Sequence, residues 1–273
     1  MNISVESLQL LEKVSANRVL HLDASKVPRY ESVRKQEHMQ RFLRENAPEG
    51  VLRAEYWLDG KTCGVRSKPN LQNLNHALFK ASEGHVLVEV NTNVETLCCL
   101  RSSGTDGNEL ADRVTHDRVN LWDYITMELV TEEEKAIQRD WQGALEPLLP
   151  SRISGPLRTL RQYFKVQFFR GSYGIHPPRG DEDYAVQEAV LQRLIARWPG
   201  LWLTGTKEEK QAVNLKRRLH AATVWLQVAL KAEQQGCQVV GFWMDEPIIE
   251  CPVSINASEV KYYLENEAFG MLS

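Results

Sequence analysis

Residues 51–67 read VLRAEYWLDGKTCGVRS, and the Asp59-Gly60 pair near their centre decides how the first half of the chain folds. An Asp-Gly pair tolerates the positive φ of a type I′ turn, so the runs on either side predict the two arms of a β-hairpin. Downstream, residues 86–100 predict a second hairpin: VLVEV alternates apolar and polar, and Asn91-Thr92-Asn93 supplies the connection. A short helix over 71–81 is expected between the hairpins, from the spacing of Leu71, Leu74, Leu78 and Phe79. Upstream, VLHLD at 19–23 alternates as a half-buried strand does. Residues 30–46 predict a charged helix anchored by Val33, Phe42 and Leu43 and stopped by Pro48 and Gly50.

Past residue 100 the pattern turns helical. RSSGTDGN at 101–108 is the most loop-like stretch and suggests a boundary. The expected domains are 1–105, an α+β region containing the hairpins, and 106–273, a helix-rich region; a single compact domain is the alternative. Thr131 and Glu134 have the spacing of a capping box, with a helix running to about Leu145. An amphipathic helix over 184–198 places Val186, Val190, Leu191, Leu194, Ile195 and Trp198 on one face. The longest helix is expected over 207–235, capped by Thr206 and Glu209 and closed by Gly236, with Leu215, Leu219, Ala222, Leu226 and Leu230 as its core stripe. CQVVGFWM at 237–244 reads as a strand buried on both faces, 249–255 as another, and 258–268 as a closing helix. Hairpins dominate the first half, and helices with two late strands the second. The predicted class is therefore α+β, with a hairpin-rich mixed sheet in the N-terminal half, rather than a doubly wound parallel sheet.

The chain has 273 residues, enough for one large domain or two smaller ones. Its 42% apolar and 25% charged content is that of a globular protein. No apolar run reaches the ~18–20 residues that cross a bilayer. Residues 1–11 lack the basic start of a secretory signal, so a cytoplasmic location without membrane contact is expected. Cys63, Cys98, Cys99, Cys237 and Cys251 show no CxxC spacing. They read as reduced thiols serving as small core residues, with Cys98 and Cys99 on opposite faces of a strand.

The strongest functional signal is local. Between Glu146 and Asp181 there is no acid, while Arg152, Arg158, Arg161, Lys165, Arg170 and Arg179 alternate with Tyr163, Phe164, Phe168, Phe169 and Tyr173. A formal net charge of only −3 argues against wholesale coating of nucleic acid and for one patch. Arginines and lysines hold phosphates, and bases stack on aromatic rings. The leading expectation is thus a binding protein for nucleic acid or another polyanion. Its site comprises Arg158, Arg161, Lys165, Arg170, Tyr173, His176 and Arg179. His176 lies in the Gly/Pro-rich loop GSYGIHPPRG, where rigid prolines can hold a binding residue. The plainer reading makes 163–169 a packed strand whose flanking arginines pair with acids. Lys207, Lys210, Lys216, Arg217, Arg218 and Lys231 could extend the positive surface.

Two other classes remain. VVGFWMDE ends in Asp245-Glu246 as an apolar strand that positions Mg²⁺ does, and Asp23 and Glu89 also sit at strand positions. These acids support a metal-dependent nuclease or phosphodiesterase, as does the pairing of Glu49 with Asp59-Gly60-Lys61. The only GKT, Gly60-Lys61-Thr62, lies between two predicted strands and lacks the earlier glycine of a phosphate loop. No HxxxH or HxH nucleates a zinc site, no GxGxxG marks a dinucleotide and no GxSxG marks a nucleophile, so no cofactor and no particular metal is assigned. Seven tryptophans leave a non-catalytic assembly subunit, homo-oligomeric or bound to another protein, as the third class.

Overall fold

The computed structural model describes residues 3–27, 33–71, 74–90, 92–135, 155–180, 184–243 and 245–273; side chains in the helices that begin at Val33 and Gly155 are described from 34 and 160 onward. The fold is mixed α+β, with small antiparallel sheets, helices in the C-terminal half and two late strands. It divides into two compact units: Met1–Glu95 with Leu215–Met271, and Thr96–Asn214 with Leu272–Ser273. Among the described residues, no helix is long and apolar enough to cross a membrane.

The first unit opens with α1, Val5–Asn17, where Ser4 caps the helix by accepting the Ser7 amide and Leu10, Leu11 and Val14 form the buried stripe. Strand β1, Leu20–Leu22, lies between β2, Val51–Leu52, and β5, Phe79–Lys80. Helix α2 spans Val33–Asn46. The Asp-Gly hairpin is present: β3, Glu55–Leu58, pairs with β4, Val65–Lys68, from Glu55↔Lys68 to Leu58↔Val65. Its connection is a six-residue turn rather than the two-residue type I′, because the Asp59 carboxylate accepts from the Lys61 amide and the Thr62 hydroxyl and organises a wider loop. The Gly60-Lys61-Thr62 stretch therefore joins two strands, as its sequence context indicates.

Three expectations fail here. Residues 86–100 are not a hairpin: β6, His85–Val88, pairs with a strand from the far end of the chain, and α3, Val94–Arg101, follows after Asn93 at φ 48°. Cys98 and Cys99 are thus helical, although both are buried as expected. The helix over 71–81 shrinks to a single turn at His76–Leu78 before β5.

The late strands are the centre of this unit. β7, Gln238–Trp243, and β8, Glu246–Pro252, form a tight antiparallel hairpin, with β6 on the other side of β8. A register shift between Val239 and Gly241 bends β7. At that bend Gly241 is approached so closely that a Cβ would lie 2.5 Å from the Tyr56 hydroxyl and 2.9 Å from Leu20. Tyr56 stacks edge-on against Phe242 at 5.6 Å, which joins the two hairpins into one core.

The second unit is helical: α4, Gly104–Thr115; α5, Leu121–Leu129; α6, Gly155–Tyr173; and α7, Tyr184–Arg197. The stretch expected as a loop at 101–108 is therefore largely helix, broken only at 102–103. The Thr131–Glu134 capping box forms, with Thr131 N donating to Glu134 at 2.8 Å, and Arg193 of α7 grips the same carboxylate. The remainder of that helix, expected to about Leu145, lies outside the described residues. Val186, expected on the packed face of α7, is exposed.

Helix α8, Lys207–Gln234, contributes to both units, and α9, Ala257–Leu272, closes the chain. Thr206 and Glu209 exchange hydrogen bonds of 2.7 and 3.2 Å at the start of α8, and Gly236 beyond its end adopts φ 80°. Replacing Thr206 by Ala should cost about 1 kcal/mol, read as a lower urea midpoint. The expected stripe on α8 is too narrow. From Ala221 to Ala232 residues on all sides are buried, including Val224, Trp225 and Val228, while Leu215, Leu219 and Leu230 are only half-buried. Arg217 is buried as well, so the Lys216-Arg217-Arg218 run does not form an exposed basic cluster.

Candidate functional site

The basic, aromatic block is α6, a helix and not a strand. Leu160, Phe164, Phe168 and Gly171 are buried at intervals of three and four, the helical period. Phe168 and Phe169 pack against Trp122 of α5 at ring distances of 5.3 and 5.7 Å. The C-terminus is closed by Gly174 at φ 63°: its amide donates to Gly171, and that of Ile175 to Arg170. A Cβ on Gly174 would come 2.3 Å from the Leu203 carbonyl oxygen.

Arg161 is committed to α5: its Nε donates to Asp123, and a second guanidinium nitrogen reaches Asn120 Oδ1 at 3.3 Å. Asn120 in turn caps α5 through the Trp122 and Asp123 amides, so this arginine fastens one helix to the start of another. Lys165, one turn further along, holds its ammonium 5.6 Å from the Trp122 ring centroid. No carboxylate among the described residues pairs with it. Arg170 donates to the side-chain carbonyls of Gln187 and Gln167, which are neutral. Its charge also has no carboxylate partner among the described residues.

Five residues of helix turn Arg170 about 140° away from Lys165 around the axis. Arg161 and Lys165 face α5, and Arg170 faces α7. The cations therefore do not gather on a single face. Tyr173 is half-buried at the last turn, and follows Arg161, Lys165 and Phe169 at four-residue intervals. His176 lies in the loop beyond, 4.7 Å from the Trp202 ring, with Nδ1 3.7 Å from Glu188. Arg179 is exposed. The side chain of Arg158, and Arg152 entirely, lie outside the described residues.

A second concentration of ionisable groups occupies the β7–β8 turn in the first unit. Asp245 accepts the Val65 amide, tying this turn to the β3–β4 hairpin, and a Cβ on Gly64 would come 2.8 Å from the same carboxylate. Burial pushes Asp245 up to about 6, with Glu95 adding to the rise and the Val65 amide, Arg66 and Arg218 opposing it. Glu246 is pushed up to about 7 by burial and by the neighbouring Glu95 and Glu89. Glu95 has no counterpart among the sequence candidates. It opens α3 and accepts the Trp225 indole N–H at 2.9 Å. Its place beside Asp245 follows from a helix that the sequence pattern read as strand. No group of three His, Cys, Asp or Glu side chains among the described residues is arranged to hold a metal ion. Asp59 spends its carboxylate within its own turn, and Asp23 does so on Ser25.

One further constellation has the residue types of a nucleophilic site without its proton path. Ser82 Oγ lies 3.3 Å from His85 Nδ1 and also contacts the buried Glu250. The hydroxyl has one proton and donates it to Glu250. His85 Nδ1 also faces the Glu83 carbonyl at 3.0 Å, which requires a donor there. The imidazole is thus not placed to take a proton from Ser82.

No protein-family model matches the chain, and no curated protein matches it. Among solved structures, the fold is similar to the POL domain of Pol1 from M. smegmatis, in complex with DNA primer-template and dNTP. The TM-score is 0.50 and the identity 12%, over 88% of this chain and 48% of that one. The likeness is one of fold, and this chain spans about half the length of the polymerase chain it matches.

Proposed function

We propose that this protein binds nucleic acid, with Lys165 and Arg170 of α6 contacting phosphates. The observation that carries the reading is that both cations are held in place by uncharged partners, an indole ring and two amides. Each side chain is thereby oriented with no carboxylate partner among the described residues, a condition that favours attracting a phosphate. Arg161 serves mainly to fix α6 on α5, because Asp123 already neutralises it. Exposed Arg179 adds a cation beyond the end of the helix, and Tyr173 offers a ring on which a base stacks. His176 borders the same end of α6. The similar polymerase domain was solved with a DNA primer-template and dNTP, which supports this ligand class over other polyanions.

Titration of labelled single-stranded, duplex and primer-template DNA by anisotropy tests the reading. Binding should weaken steeply as salt rises. Changing Lys165 and Arg170 together to Glu should lower affinity by at least about tenfold and flatten the salt dependence by roughly two phosphate contacts. Unchanged helical circular dichroism in that variant separates lost contacts from lost fold. Absence of binding to all three DNAs at low salt would sink the proposal, as would equal affinity of the natural chain and the double variant.

A further inference from the structure

Cys237 and Cys251 stand opposite each other across the β7–β8 ladder. The register pairs Gln238 with Glu250 and Val239 with Ile249, and one step back sets the two cysteines face to face. The Cys237 amide donates to Ala232 O at 3.1 Å, and the Val239 amide to Glu233 at 2.8 Å. Both amides therefore point away from β8, so 237/251 is a non-hydrogen-bonded pair, the type whose side chains approach most closely. Such pairs have Cα atoms about 4.5 Å apart, within the ~4.4–6.8 Å that a disulfide spans. Both residues are buried, and their thiols are within hydrogen-bonding reach of each other.

We propose that Cys237 and Cys251 form an oxidisable dithiol that a small azo oxidant closes into a cross-strand disulfide. One thiolate adds to a nitrogen of the N=N bond, forming an S–N bond while the other nitrogen takes a proton. The second thiolate attacks that sulfur; the S–S bond forms, the S–N bond breaks, and the departing nitrogen takes the second proton. Two thiols are oxidised to one disulfide and the azo compound is reduced to a hydrazine. Burial and the adjoining Cys251 thiol push Cys237 up to about 12, so the reaction is slow and follows transient opening at the start of β7. That point adjoins Gly236, where α8 ends and the chain reverses at φ 80°. Once closed, the bridge encloses 238–250, including the turn that carries Asp245 and Glu246.

The test uses the full chain with Cys63→Ala, since Cys63 is half-buried and competes for oxidant. Diamide treatment under native conditions, then alkylation in denaturant and peptide mass mapping, should yield a Cys237–Cys251 cross-linked pair lighter by two hydrogens. Dithiothreitol should reverse it, and the oxidised chain should melt about 5 °C higher. Cys251→Ala should abolish both changes, and mapping of the Cys63→Ala chain stands alone if that variant does not fold. Recovery of both cysteines fully alkylated after native treatment overturns the proposal, as does a cross-link that forms only when diamide is added in urea.

Discussion

Gly241→Ala is expected to destabilise the chain by about 3 kcal/mol, the upper end of the range for overfilling a packed site. The added methyl would meet the Tyr56 hydroxyl at 2.5 Å and Leu20 at 2.9 Å, on two different strands, so relief of one contact does not relieve the other. The local bend in β7 prevents simple sliding away. The Tyr56 hydroxyl supplies an internal control. It is buried, and although the Phe242 amide approaches it, it makes no hydrogen bond of normal geometry. Tyr56→Phe should therefore cost little or even stabilise. In that background Gly241→Ala should lose at least about 1 kcal/mol of its penalty, a coupling characteristic of residues in contact. Urea midpoints of the four chains close the cycle, and additive midpoints would show that the hydroxyl is not the obstacle.

Stability should also fall as pH rises from about 4 to 7 because of Asp245 and Glu246. Both carboxyls titrate higher in the folded chain, at about 6 and about 7, than their ordinary values near 4. Within that window the folded state holds more protons than the unfolded one, so raising the pH removes protons preferentially from the folded state and weakens it. Each pKa unit is worth roughly 1.4 kcal/mol. Shared repulsion with Glu95 and partial access to water reduce the joint effect to about 2–3 kcal/mol. His220 acts in the opposite sense, since burial lowers its pKa and its protonation weakens the fold on the acid side. The difference between the natural chain and the Asp245→Asn, Glu246→Gln double variant isolates the two acids. The side-chain carbonyl that Asp245→Asn introduces still accepts from the Val65 amide. The double variant should match the natural chain near pH 4 and exceed it by about 2–3 kcal/mol at pH 8. Identical stability curves would remove the crowding argument.

Local signals in the sequence are accurate for the helix caps and for the Asp-Gly reversal, although its turn widens to six residues and the stretch at 101–108 is mostly helix. Asp59-Gly60, the Thr131–Glu134 and Thr206–Glu209 caps and the Gly236 terminus act within a few residues of themselves, and each is found in the structure. Errors arose where distant chain decides. VLVEV does alternate, and part of it is β6, but its partner is β8 rather than the residues that follow. The Phe- and Tyr-rich block has strand-type composition, yet buried Leu160, Phe164 and Phe168 obey the helical period, and packing on α5 and α7 overrides propensity. The cations themselves were legible. Their partners were not, because nothing near Arg161 identifies Asp123, and nothing near Arg170 identifies Gln187.

The pairing of β6 with β8 has a consequence for synthesis on the ribosome. The first unit is discontinuous, and its sheet needs strands separated by more than half the chain. Residues 96–214 emerge complete before β7 or β8 has been translated, so the helical unit is able to fold while the earlier strands still lack their neighbours. Until β8 arrives, β6 presents unsatisfied backbone groups, the condition under which a nascent chain needs shielding from its neighbours.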